Sequence, residues 1–180
     1  ETIGQHFDRI CLEHAEREAL VVAHQGVRWT YADYRREVDK LAAGLLACGI
    51  VPGDRVGIWA PNCVEWCLTQ MATAKIGAIM VCINPAYRLH ELQYALNKVE
   101  CKVLITAEAS KTSDYLSMLQ TLAPELEQCA PGELLSARLP NLRTIIRMGE
   151  SVTAGMYNFT AVTEMGSQPQ LKRLKQLGGE

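Results

Sequence analysis

Apolar positions in the first third of the chain recur with a helical period, and short apolar runs interrupt them. Ile3, Phe7, Ile10, Cys11 and His14 fall on one helical face with charges between them, which predicts a helix over 2–18. Residues 19–23 read as a strand, His24-Gln25-Gly26 as a turn and 27–30 as a returning strand. Thr30 with Asp33 forms a capping-box pattern, and the helix it opens carries Tyr34, Val38, Leu41, Leu45 and Leu46 on one face before Gly49 stops it. Pro52-Gly53-Asp54 is a turn, and 56–59 is the next strand. Asn62 is placed to cap a helix with Glu65 at its third position, and that helix is expected to stop at Gly77. The unbroken apolar run 78–83 predicts a strand covered on both faces. A helix over 89–99 and a strand over 102–106 follow. Strand, helix, strand, helix, strand across 54–106 is the signature of an α/β fold with a largely parallel sheet and helices on both faces.

Beyond Thr106 the pattern weakens. A helix is expected over 113–122, and Pro124, Pro131 and Pro140 then punctuate a loop-rich stretch. Residues 142–148 read as one more strand, 149–168 carry no clear period, and 171–177 form a short amphipathic segment. The division expected is a main α/β part over 1–122 and a loop-rich extension with one strand over 123–180.

Composition narrows the classes. The 180 residues are 48% hydrophobic and 21% charged, ordinary values for one globular domain. Eighteen Lys and Arg against 20 Asp and Glu leave a net charge of −2, so there is no basic excess to neutralise a phosphate backbone, and no nucleic-acid partner is expected. No apolar run reaches the roughly 18 residues that a membrane helix needs. Seven cysteines, an odd number, sit mostly among apolar neighbours; Cys82 within Ile79-Met80-Val81-Cys82-Ile83 is an example. They are expected to be buried, reduced thiols in an intracellular, reducing compartment.

Chemical motifs are sparse. Neither G-x-G-x-x-G nor G-x-x-x-x-G-K-[ST] occurs, and Gly149-Glu150-Ser151-Val152-Thr153 fails as a nucleophile elbow at the second glycine. Cys11 with His14, and Cys63 with Cys67, lie one helical turn apart, but no second pair at zinc spacing follows, and no metal is expected. His6, His14, His24 and His90 have no evident partner in sequence, Asn158-Phe159-Thr160 matches a glycosylation acceptor, and the Lys172–Lys175 cluster reads as a solvated helix face. Ligands of open parallel sheets bind beyond the carboxyl ends of the strands. Two loops occupy such positions: 84–88 after the strand ending at Ile83, and 108–113 after the strand ending at Thr106, where Lys111 is placed to meet an anionic group.

Several stretches resemble one family. Trp29-Thr30-Tyr31-Ala32-Asp33-Tyr34, Ala43-Gly44-Leu45 and Gly49-Ile50-Val51-Pro52-Gly53-Asp54-Arg55-Val56 resemble the first core motif of the adenylate-forming (AMP-binding) enzymes. Ala74-Lys75-Ile76-Gly77-Ala78, leading into Ile83-Asn84-Pro85-Ala86-Tyr87, resembles their second. Pro61-Asn62-Cys63-Val64-Glu65-Trp66 and Glu91-Leu92-Gln93-Tyr94-Ala95-Leu96 are similar to the fatty acyl-CoA ligases. The resemblance implies a two-step reaction. A carboxylate attacks the α-phosphate of ATP to give an acyl-adenylate and pyrophosphate, and the thiol of CoA then displaces AMP, with Mg²⁺ offsetting phosphate charge. The family's Ser/Thr/Gly-rich phosphate loop, adenine-binding motif and catalytic C-terminal Lys are not in this sequence. The resemblance therefore implies the N-terminal third of such a ligase, inactive alone, with the remainder of the same polypeptide as its partner. The complete enzyme would use a fatty acid, ATP, Mg²⁺ and CoA, and the mitochondrial matrix is the implied location. No catalytic residue is assigned, and none of the cofactors is expected to bind this segment strongly. Lys111 alone is a cofactor-contacting candidate, since a loop at its position approaches the CoA nucleotide in related acetyl-CoA synthetases. Exposed apolar surface and an open strand edge are expected to promote self-association. The alternative is a non-catalytic binding or interaction module, a truncated isoform of this fold.

Overall fold

The computed structural model describes residues 1–179. Along the chain run α1 (Ile3–Glu13), β1 (Glu18–Val22), β2 (Val27–Thr30), α2 (Tyr31–Ala47), β3 (Arg55–Trp59), α3 (Val64–Ile76), β4 (Ile79–Cys82), α4 (Leu89–Lys98) and β5 (Val103–Thr106). There follow β6 (Ala109–Ser110), β7 (Ser113–Asp114), α5 (Tyr115–Leu122), β8 (Thr144–Arg147), β9 (Tyr157–Asn158), α6 (Phe159–Glu164) and α7 (Gln168–Gly178). The described residues divide into two compact units, each assembled from separate stretches of sequence: one holds 1–53, 62–79 and 163–179, the other 54–61 and 80–162.

In the first unit, α1, α2, α3 and α7 pack together beside the antiparallel β1–β2 hairpin. The Thr30–Asp33 capping box forms as the sequence predicts: Asp33 N–H donates to Thr30 Oγ1 (3.2 Å), and Thr30 N–H donates to the Asp33 carboxylate (3.1 Å). Two expectations change. The first helix ends at Glu13, because the carbonyls of Ala15 and Arg17 accept from Ala32 and Tyr31 at the start of α2 and so leave the helical path. The cap of α3 is Cys63, not Asn62; the free N–H of Val64 donates to the Gln25 side chain of the hairpin (2.7 Å), whose amide in turn donates to Glu65 (2.9 Å). Gly77 does stop α3, with φ +70° in the left-handed region that glycine enters without strain.

The second unit is built on a largely parallel five-stranded sheet in the order β4-β3-β5-β8-β9. On one face Leu92 and Leu96 of α4 and Tyr115, Leu119 and Leu122 of α5 pack with Trp59, Leu104 and Ile145. The alternate positions Val56, Ile58, Val103, Ile105 and Ile146 are also buried, as period-two strands buried on both faces require. Gly57 sits where the packing is close: a Cβ would lie 3.0 Å from Cys101 Sγ and 3.2 Å from Leu104 Cδ1, so both side chains would have to give way.

The run 78–83 behaves differently from its reading. β4 is the edge strand, Ile79 is 52% exposed, and Cys82 is exposed rather than buried. The central strand β5 takes the doubly covered place instead. The aperiodic stretch 149–168 contains the two-residue strand β9 and the whole of the short helix α6, which the sequence pattern did not reveal.

Candidate functional site

Parallel register aligns the last residues of the central strands. Trp59 pairs with Thr106, Thr106 with Arg147, and Arg147 with Asn158, forming one row at the carboxyl edge of the sheet. Both loops singled out in the sequence, 84–88 and 108–113, leave this edge. The Trp59 indole N–H donates to the Asn84 carbonyl (3.1 Å), and the Tyr115 hydroxyl donates to the Pro85 carbonyl (2.6 Å). The two rings stack with centroids 3.7 Å apart and planes 13° from parallel, and both side chains are fully buried. Asn84 Oδ1 accepts from Ala86 N–H (2.9 Å) and stiffens the turn further. Trp59 and Tyr115 thus fix both loops to one core, a role for which neither residue carried a sequence signal beyond its apolar periodicity.

Lys111 sits at the tip of the β6–β7 hairpin, exposed, with φ 53°. That is the left-handed region, uncommon for a residue with a side chain. Burial raises the Tyr115 phenol pKa; a hydrogen bond from Ser110 in the hairpin and the charge of Arg88 oppose the rise. The hairpin and the turn at Pro85 therefore meet at the same phenol. The edge presents Arg88 and Lys111, both exposed cations, next to a rigid aromatic base.

Arg147, which falls within the strand expected over 142–148, is 1% exposed. Its guanidinium donates to the Glu108 carboxylate and the Ser151 carbonyl, tying the loop after β5 to the loop after β8. Asn158 donates to the Gly149 and Ser151 carbonyls (2.9 and 3.2 Å), so its amide braces the same turn. Of the other sequence candidates, His6 lies beside Glu1 and Arg9 on α1, and His14 caps the end of that helix. Cys11 is buried and its thiol pKa is pushed up to about 11, chiefly by that burial. Cys63 is similarly pushed up to about 12. Such thiols stay protonated near neutrality and are poor nucleophiles. Among the described residues no helix is long and apolar enough to cross a membrane.

A largely parallel sheet with loops gathered at the carboxyl ends of its strands is the general frame of an α/β ligand-binding domain. The profile of the AMP-binding enzyme family matches residues 7–162, and the chain belongs to that family. Among its relatives is the bovine mitochondrial medium-chain acyl-CoA ligase ACSF2, 44% identical over 176 residues, an alignment covering 97% of this chain and 28% of that protein. The human enzyme of the same name is 48% identical over 146 residues, 81% of this chain and 24% of its own length. The chain thus spans about a quarter of the length of these relatives. Among solved structures, the anthranilate CoA ligase AuaEII bound to anthranoyl-AMP superposes with a TM-score of 0.75 at 21% identity, over 91% of this chain and 28% of that one. Acetoacetyl-CoA synthetase from Streptomyces lividans gives 0.74 at 25% identity, over 93% and 26%.

Proposed function

We propose that this chain is the N-terminal part of an ATP-dependent medium-chain fatty acyl-CoA ligase of the mitochondrial matrix. The observation that carries the reading is the 44% identity, over nearly the whole chain, to a mitochondrial medium-chain acyl-CoA ligase. The complete enzyme would form an acyl-adenylate from a fatty acid and ATP with Mg²⁺, then pass the acyl group to CoA. The residues of this chain would build the scaffold of that site rather than supply its phosphate loop, so the chain alone is expected to be inactive. Within it, Lys111 on its hairpin, with Arg88 beside Tyr115, is suited to meet the phosphates of CoA, since an exposed ammonium and guanidinium complement an anion.

A chimera tests this. The chain replaces the matching stretch of the bovine relative, and octanoate-dependent exchange of pyrophosphate into ATP is measured alongside thioester formation. The chimera is expected to retain both activities, while the isolated chain shows no exchange above a blank. Lys111→Ala in the chimera is expected to raise the KM for CoA several-fold and leave the exchange unchanged. A chimera that melts cooperatively yet exchanges nothing would overturn the ligase reading; an unaltered KM would remove Lys111 from it.

A further inference from the structure

A cleft of about 750 Å³ opens in the first unit between α1 and α7, with α2 and α3 contributing its floor. That size is within the range of small-molecule sites. Gln5 on α1 donates to the Gly178 carbonyl at the end of α7 (3.0 Å), tying the two walls together. The floor is a closed charge network. Lys75, its side chain 6% exposed, donates to Asp8 (2.6 Å) and Asp39 (2.5 Å), and Arg35 also donates to Asp8 (2.8 Å). Two cations balance two carboxylates, so the floor is rigid and contributes no net charge. On the α1 wall Arg9 is held by Glu13 (3.1 Å) and Glu1 (3.0 Å). The uncompensated charge of the lining is positive and lies on α7, at the exposed Lys172 and Lys175.

The walls are apolar where the rim is basic. Leu12 on α1 is 64% exposed, and Leu171 on α7 is 37% exposed; both line this cleft together with the buried Leu174. Leucines left open to water converge here from two helices. On α7 Leu171 is followed directly by Lys172, and Leu174 by Lys175.

We propose that this cleft binds an anionic amphiphile with a single aliphatic tail. The tail lies along Leu12, Leu171 and Leu174, and the carboxylate or phosphate-monoester head meets Lys172 and Lys175. A second copy of the chain is disfavoured as occupant, because it brings the same excess positive charge to the same rim. The site is independent of the ligase reading, since it uses none of the strand-end residues and its test needs no turnover.

The test is photolabelling of the 180-residue chain with a decanoate analogue carrying a diazirine in its tail, read by mass spectrometry. Adducts are expected on the peptides holding Leu12 and Leu171. Decanoate or decyl phosphate should displace the label, and the one acting at lower concentration identifies the head. Decyltrimethylammonium, with the same tail and opposite charge, should not compete. Lys172→Glu with Lys175→Glu, two exposed changes, is expected to lower labelling at least tenfold, and Lys172→Gln with Lys175→Gln to lower it less. Competition by the cationic amphiphile at equal concentration would overturn the proposal, as would adducts away from α1 and α7. Unchanged labelling of the charge-reversed chain would overturn it as well. Labelled fraction should be constant over a tenfold dilution of protein; loss on dilution would assign the cleft to a contact between copies instead.

Discussion

Lys75→Met isolates the energetics of the charge network that joins three helices of the first unit. The substitution keeps the length of the side chain, and with it most of the packing of its stem near Gly4, but removes the ammonium from Asp8 and Asp39. Breaking a buried pair from one side costs about 3–5 kcal/mol. Here Asp8 keeps Arg35, and the two carboxylate side chains are 20% and 31% exposed, so water recovers part of the loss. About 2–3 kcal/mol is expected, which at about 2–4 °C per kcal/mol for a chain of this size lowers Tm by about 4–12 °C. Urea unfolding followed by tryptophan fluorescence measures it, at concentrations where light scattering finds a single species. Asp39→Asn in the Lys75→Met background should cost less than Asp39→Asn alone, because the orphaned carboxylate is then gone; the cycle should give a coupling of about 1–3 kcal/mol. A Lys75→Met chain within about 0.5 kcal/mol of the parent, or a strictly additive cycle, would refute the view that this network holds the helices.

Three further outcomes follow from the geometry. Burial pushes the Cys63 and Cys101 thiols up to about 12, while an unfolded thiol ionises near about 8.5. Above that pH the unfolded chain binds fewer protons, so the stability these groups contribute is complete below about 8.5 and lost as pH rises toward 12; Cys101→Ala should flatten the fall of the urea midpoint between pH 8.5 and 11, and an unchanged slope would contradict this. Tyr115→Phe keeps the stack on Trp59 but loses the bond to Pro85, for about 1 kcal/mol, whereas Tyr115→Ala should cost about 3–5 kcal/mol; equal costs in chemical denaturation would show that the stack contributes nothing. The β4 edge, with Ile79 half exposed, is expected to drive association of the isolated chain, and Ile79→Lys should lower the scattering mass at a given concentration; a monomer across a hundredfold concentration range would instead favour a self-sufficient interaction module.

The local code of this chain is readable because it is carried by neighbours in sequence. The Thr30–Asp33 cap, the stop at Gly77, the turn at 84–85 and the alternation of strands with helices all depend on residues within a few positions of each other. So does the resemblance to adenylate-forming enzymes, whose motifs are contiguous. What tertiary structure decided depends on partners far along the chain. The Val64 N–H finds its partner in Gln25, 39 residues away, so the local pattern at Asn62 does not set where this helix is capped. The runs 78–83 and 103–106 are equally apolar, yet the order β4-β3-β5-β8-β9 puts one at the edge and the other at the centre, and hydrophobicity alone carries no record of strand order. Lys111 was legible as a polar residue after a strand. The stacked Trp59 and Tyr115 that anchor its hairpin, and the buried Arg147 that binds Glu108, were not, because side chains from 39 to 56 residues apart meet only after parallel register has aligned the ends of their strands.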